Sequence, residues 1–143
     1  MFTDDDIKRK KRDVDAVALH ALMKQQSIDH IGELHTLRLD TVLLNEGNAF
    51  LEHSGVFHAP VTGVYVFSAS VMSRHREIQC CIMKNGVANG RTSANDAYDQ
   101  GSVSATMSLT EGDEVDVTSA YPPDTAFNGN DFTSFTGFLL VAS

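Results

Sequence analysis

With 143 residues, 42% of them apolar and 21% charged, and a formal net charge of −8, the chain has the composition of one soluble globular domain. A domain of this size buries roughly two-thirds of its unfolded surface, so it needs no disulfide or structural metal to fold. No apolar run approaches the roughly 20 residues of a membrane-spanning helix, and no membrane insertion is expected.

Residues 1–13 read as a charged N-terminal tail and 14–143 as the folded domain. Five of the eleven basic residues sit in Lys8–Arg12, as KRKKR. Such a run suits a solvated tail, a convertase cleavage site that would leave Asp13 first, or a nuclear-import signal. The start of the chain lacks the apolar segment of a signal peptide, so it belongs either to a cytoplasmic protein or to a secreted one written without its leader. After Arg91 there is no Lys or Arg, while Asp96, Asp99, Glu111, Asp113, Glu114, Asp116, Asp124 and Asp131 follow. Phosphate binding needs a basic stripe on a folded face, so no nucleic-acid partner is expected, and cations suit the C-terminal half better.

VDAVALHALMKQQ has helical propensity, although Val17, Leu19 and Ala21 also alternate. From Thr36 onward short β-runs follow one another between turn residues, without internal repeats. In GVYVFSASVM, Tyr65, Phe67, Ala69 and Val71 line one face while Val64 and Val66 begin the other. Both faces are partly apolar. Cys80 and Cys81 are adjacent, so in a strand they point to opposite faces and form no ordinary disulfide. They read as core. EIQCCIMK turns back into a short strand through KNGVANGR, whose two Asn-Gly pairs are each the preferred centre of a type I′ turn. SVSATMSL alternates strictly, with Val103, Ala105, Met107 and Leu109 inward, and TEGDE joins it to EVDVTSAY as a hairpin. The last run, FTSFTGFLLVA, is again apolar on both faces, with Phe138 and Leu140 opposite Phe135, Leu139 and Val141. Strands apolar on both sides must be covered on both sides, which favours oligomerisation.

NEGNAFLEHSGVFHAPVTGVYVFS resembles the globular head of complement C1q, within the wider tumour-necrosis-factor fold. The motifs are Asn45–Phe50 (NEGNAF), Gly55-Val56-Phe57, Ala59-Pro60 and Gly63–Phe67 (GVYVF). Lys84-Asn85-Gly86, Leu109–Val115 (LTEGDEV) and Ser134–Leu140 (SFTGFLL) follow in order. The likeness runs from about Val17 to the C-terminus, and VALHA then matches the family's first strand in place of a helix. It implies an all-β, ten-strand, two-sheet jelly roll that forms a homotrimer. Tyr65, Phe67, Phe135, Phe138 and Leu140 would serve the core and subunit contacts. The resemblance is to invertebrate, molluscan members of the family, which also implies secretion.

In an antiparallel chain alternate connections share an end. Residues 73–77 (SRHRE), 93–102 (SANDAYDQGS) and 121–131 (YPPDTAFNGND) therefore form the apex, and Asn85-Gly86 and TEGDE the base. Loops on a rigid sandwich are where binding residues gather. Arg74, His75 and Arg76 suit carboxylate or phosphate, Tyr98 and Phe127 either stack on a sugar ring or pack down, and Asp124 and Asn128 add polar contacts. Asp96, Asp99, Gln100, Asp124 and Asp131 offer oxygens of the kind calcium takes, and Asp99-Gln100 matches a pair in calcium-binding family members. All six histidines precede residue 76 without zinc-type spacing, but bivalve members implicated in heavy-metal binding make His30, His35, His53 and His58 worth testing.

No nucleophile with its base, paired carboxylates, phosphate loop or metal motif is recognisable, so no enzyme is expected. The expected function is recognition in innate immunity: a lectin-like head binding carbohydrate, sialic acid among the acidic sugars, or a microbial surface. A cytokine-like or scaffold ligand for a protein receptor and a metal-binding protein are the other readings.

Overall fold

The computed structural model describes residues 15–143, and among these every regular element is a strand. The charged tail lies outside the described residues. In chain order the strands are β1 (Ala18–Leu22), β2 (Ser27–Gly32), β3 (Thr41–Glu46), β4 (Phe50–Leu51), β5 (Val56–His58) and β6 (Gly63–Met72). They continue with β7 (Arg76–Lys84), β8 (Val87–Asp96), β9 (Gln100–Leu109), β10 (Glu114–Tyr121), β11 (Asp124–Asn128) and β12 (Ser134–Ala142). Ten of them form two five-stranded sheets, ordered β3-β1-β12-β6-β9 and β4-β5-β10-β7-β8, the jelly-roll sandwich expected. The remaining two, β2 and β11, pair as a separate ribbon that the sequence did not signal.

Period-two patterning explains the sandwich. Along β6, Tyr65, Phe67, Ala69 and Val71 are buried and the intervening residues half-buried. Phe57, Tyr65, Phe67 and Phe135 stack or meet edge-on with centroids 5.2–6.2 Å apart, and Phe50 reaches Phe135 at 6.2 Å. A Cβ at Gly137 would run into the Phe67 ring, so this position in β12 must stay bare for the aromatic cluster to close. Cys80 and Cys81 are both buried and free, and burial pushes the Cys80 thiol up to about 12, with the Cys81 charge adding.

Three local expectations are corrected. TEGDE is not a hairpin: β9 pairs with β6 in one sheet and β10 with β7 and β5 in the other. A sandwich corner and a hairpin have the same inward alternation, so periodicity does not separate them. Only the first Asn-Gly pair is a turn, with Asn85 at φ 49° and Gly86 at φ 80°. Asn89-Gly90 lies inside β8, where Gly90 accommodates Val103. The returning strand is accordingly long, ten residues and not a short one.

Side-chain hydrogen bonds knit the basal end. Asn85 donates to the Asp113 carboxylate at 3.0 Å and accepts from the Glu114 amide at 2.8 Å, tying the two basal turns together. NEGNAF makes a comparable closure. Asn45 receives the Phe50 amide and donates to the Phe50 carbonyl, at 3.1 and 2.9 Å, across a bend in which Gly47 and Asn48 have positive φ.

On β10, burial raises the Asp116 carboxyl above its ordinary value of 3.8; the Thr36 hydroxyl opposes this and the Glu114 charge reinforces it. An acid raised in this way binds its proton more tightly folded than unfolded, so its contribution to stability falls as pH rises from that value through the raised one. Asp116→Asn keeps an acceptor for Thr36. Urea titrations of the variant should show unchanged or higher stability at pH 7 and a flatter pH profile through that interval. A loss at neutral pH would contradict this account.

Candidate functional site

The three apical connections converge, and the hydrogen bonds show how. Residues 73–75 link β6 in one sheet to β7 in the other, and residues 97–99 link β8 back to β9. The Ser73 amide donates to the Asp99 carbonyl at 3.0 Å, and the Tyr98 amide to the Ser73 carbonyl at 2.8 Å. Arg74 donates its amide to the Ala126 carbonyl, and the Asn128 side chain donates to the Ser73 carbonyl. Ser73 is thus the hub on which all three segments are anchored. It is fully buried, and its hydroxyl donates to the Arg76 carbonyl.

Each connection is shorter than the sequence suggested, because strands extend into it. Arg76 already belongs to β7, Asp96 ends β8 and Gln100 begins β9. The 121–131 segment contains β11, which pairs antiparallel with β2 and brings Asp29 and His30 to the apex. Asp29 was not among the residues expected to bind, and His30 was named only as a candidate metal ligand. SIDHIG lacks alternation and carries polar residues, so no local signal marked it as a strand.

Two depressions lie on this surface. One, of about 380 Å³, is bounded by Asp29, His30, His75, Arg76, Pro122 and Asp124. Arg76 donates to the Asp124 carbonyl at 3.3 Å, and His30 Nδ1 lies 3.1 Å from the Asp124 carboxylate. Arg74 is held by Asp29 at 3.4 Å and so points across the ribbon. Exposed pairs of this kind add little stability, but they fix where the charges stand. Among the described residues Arg76 makes no ion pair with a carboxylate, which leaves its guanidinium charge for a ligand. The second depression, of about 240 Å³, adjoins the first through His75 and is flanked by Tyr98, Phe132 and Asn130. Tyr98 holds a positive φ of 67°, a costly conformation for a bulky residue, and projects a ring that is 74% exposed.

The other expected site residues divide. Phe127 is fully buried in β11, bridging to Ser73, so it supports the apex from below and is not a stacking surface. Alternation along β11 turns it inward, a period hidden while the segment read as loop. Asn128 is also buried, its amide committed to Ser73. Asp124 is exposed and lines the first depression. Of the calcium candidates, Asp96 accepts the Ala97 amide at 2.7 Å, and Gln100 donates to Ser70 and to the Phe132 carbonyl at 3.1 and 2.9 Å. Among the described residues no three His, Cys, Asp or Glu side chains are grouped to hold a metal ion. Within one protomer this set falls short of the six to eight oxygens of calcium. The histidines are dispersed: His30 faces Asp124 at the apex, whereas His58 faces Glu114 at 3.6 Å near the base.

Tyr65, Phe67 and Phe135 are buried core, while Phe138 and Leu140 are 46% and 59% exposed. Phe138 pairs with Val66 and Ala18, and Val141, also exposed, pairs with Val64, so an apolar strip crosses the outer face of the first sheet. Towards the apex the same face turns polar, with Ser68 bonded to Ser104 and Ser70 to Ser102.

A family model described as the C1q domain matches residues 18–140. Complement C1q and tumor necrosis factor-related protein 9A of Homo sapiens is 36% identical over 118 residues, covering 75% of this chain and 34% of that protein. Protein HP-25 homolog 1 of Bos taurus is 32% identical over 101 residues, 69% of this chain and 48% of its own length. The chain thus spans only a third to a half of these relatives. Among solved structures, the globular domain of zebrafish complement 1qA protein superposes with a TM-score of 0.72 at 19% identity, covering 89% of this chain and 99% of that one. Eiger TNF from S. frugiperda gives 0.72 at 13% identity, covering 90% and 95%.

Proposed function

Since this chain belongs to the C1q domain family, we propose that it is a secreted recognition head, acting by binding and not by catalysis, and that it takes an acidic sugar or microbial surface glycan at the apex of a homotrimer. The supporting observation is the 380 Å³ depression, whose lining combines Arg76, its guanidinium free of carboxylates among the described residues, with Asp29, Asp124 and His75. Such a mixture matches a sugar acid: Arg76 takes the carboxylate, and the Asp oxygens take ring hydroxyls. A purely anionic ligand would be opposed by the two carboxylates, which is why a polyhydroxylated one is favoured.

Self-association follows from the apolar strip through Phe138, Leu140 and Val141, which a monomer would leave in water. Three copies multiply weak single-site contacts, as recognition of a repetitive surface requires. Calcium enters as an ion to which Asp99 and Gln100 contribute oxygens, its shell completed from outside one protomer.

A glycan array probed with and without calcium tests the proposal, and failure to bind every acidic glycan and bacterial surface would refute it. Arg76→Ala removes a charged hydrogen bond worth about 1.5–3 kcal/mol. Calorimetry should show at least tenfold weaker binding of free sialic acid with an unchanged melting temperature, and equal affinity would move the site elsewhere.

A further inference from the structure

Building on the recognition site proposed above, we infer that the two apical depressions act as one extended site, taking an oligosaccharide of at least two rings. The acidic ring occupies the Arg76 side, and a neighbouring neutral ring lies against Tyr98 and Phe132. The depressions share one lining residue, His75. The second is too small to be a small-molecule site alone: 240 Å³ is below the roughly 300–1,000 Å³ such sites occupy, whereas the first, at 380 Å³, lies within that range and can hold one ring.

Their chemistries also differ in the way two consecutive rings would require. The first offers charge that is unpaired among the described residues, through Arg76, beside Asp29 and Asp124. The second offers two exposed aromatic rings with the Asn130 amide, and its one charged side chain, Arg74, is paired with Asp29. Tyr98 is 74% exposed and Phe132 46% exposed, and both flank the same depression. The backbone holds them out. The Tyr98 amide is bound to the Ser73 carbonyl at 2.8 Å, and the Phe132 amide to the Gly129 carbonyl at 3.0 Å. Gln100 of β9 further pins the Phe132 carbonyl at 2.9 Å. With the backbone anchored at both positions, only the side-chain rotamers are left to order on binding, and the apolar faces of a pyranose stack on such rings while its hydroxyls reach the amide.

The test compares free sialic acid with sialyllactose by calorimetry on the full chain and on Tyr98→Ala and Phe132→Ala variants. Both rings are exposed, so the variants should fold, and their melting temperatures check that they do. The trisaccharide should bind the unaltered protein about tenfold more tightly than the monosaccharide. Each variant should lose about fivefold on the trisaccharide, the worth of one aromatic contact, and nothing on the monosaccharide. Equal affinities for the two sugars, or equal losses on both in the variants, would overturn the extended site while leaving the Arg76 site standing. If neither sugar binds the unaltered protein, both readings fall together.

Discussion

Replacing Phe67 by alanine is expected to remove about 3–5 kcal/mol of stability, a fifth or more of the roughly 5–15 kcal/mol that hold a domain of this kind. Phe67 is fully buried and contacts Phe57, Tyr65 and Phe135 at centroid separations of 5.2, 6.2 and 5.8 Å. Its removal opens a cavity between the sheets that β6 and β12 cannot close, because both are locked in ladders running their full length. Gly137, which leaves space for this ring, would then face a void. Urea denaturation at fixed protomer concentration measures the effect. A loss below about 1 kcal/mol would mean that the sheets can collapse onto the gap, contrary to the packing described.

The second large effect concerns assembly. Phe138→Glu combined with Leu140→Glu places two carboxylates on the apolar strip of the first sheet, whose side chains are exposed in the protomer. The isolated fold should therefore tolerate them. A trimer burying that strip would have to desolvate unpaired charges, at a cost of several kcal/mol per site repeated three times. Light scattering should show the unaltered chain at three times the protomer mass and the variant at one, with the β-sheet circular dichroism retained. A monomeric unaltered protein would contradict the reading of this face. If the variant stays trimeric, subunit contact lies elsewhere on the molecule.

Strict alternation in SVSATMSL and GVYVFSASVM identified the inward faces of β9 and β6, because a pleated strand turns successive side chains to opposite sides whatever its partners. Asn85-Gly86 identified its turn for a similarly local reason: the positive φ values that turn requires are easiest for these two residues. The motifs from NEGNAF to SFTGFLL carried the architecture, and the reversal of direction at each connection placed the three apical segments at one end. That inference needed no knowledge of which sheet each strand joins. It therefore held even though TEGDE proved to be a corner between sheets.

The composition of the site was decided at longer range. Asp29 and His30 lie more than 90 residues from Asp124, and only the pairing of β2 with β11 sets them beside it. Phe127 read as a loop-tip ring and is buried, while Phe132 drew no attention and is exposed at the apex. Nothing in the two local sequences separates these phenylalanines. Burial is a property of what packs over a residue, and here that is Ser73 and β2, both distant along the chain. By itself, then, the sequence determined the periodic strands, their inward faces and which connections share an end, since these depend on local periodicity and chain direction, while the jelly roll came from the family resemblance. Only the tertiary structure decided which apical side chains reach solvent and which charges are already paired, because those follow from contacts between segments far apart in the chain.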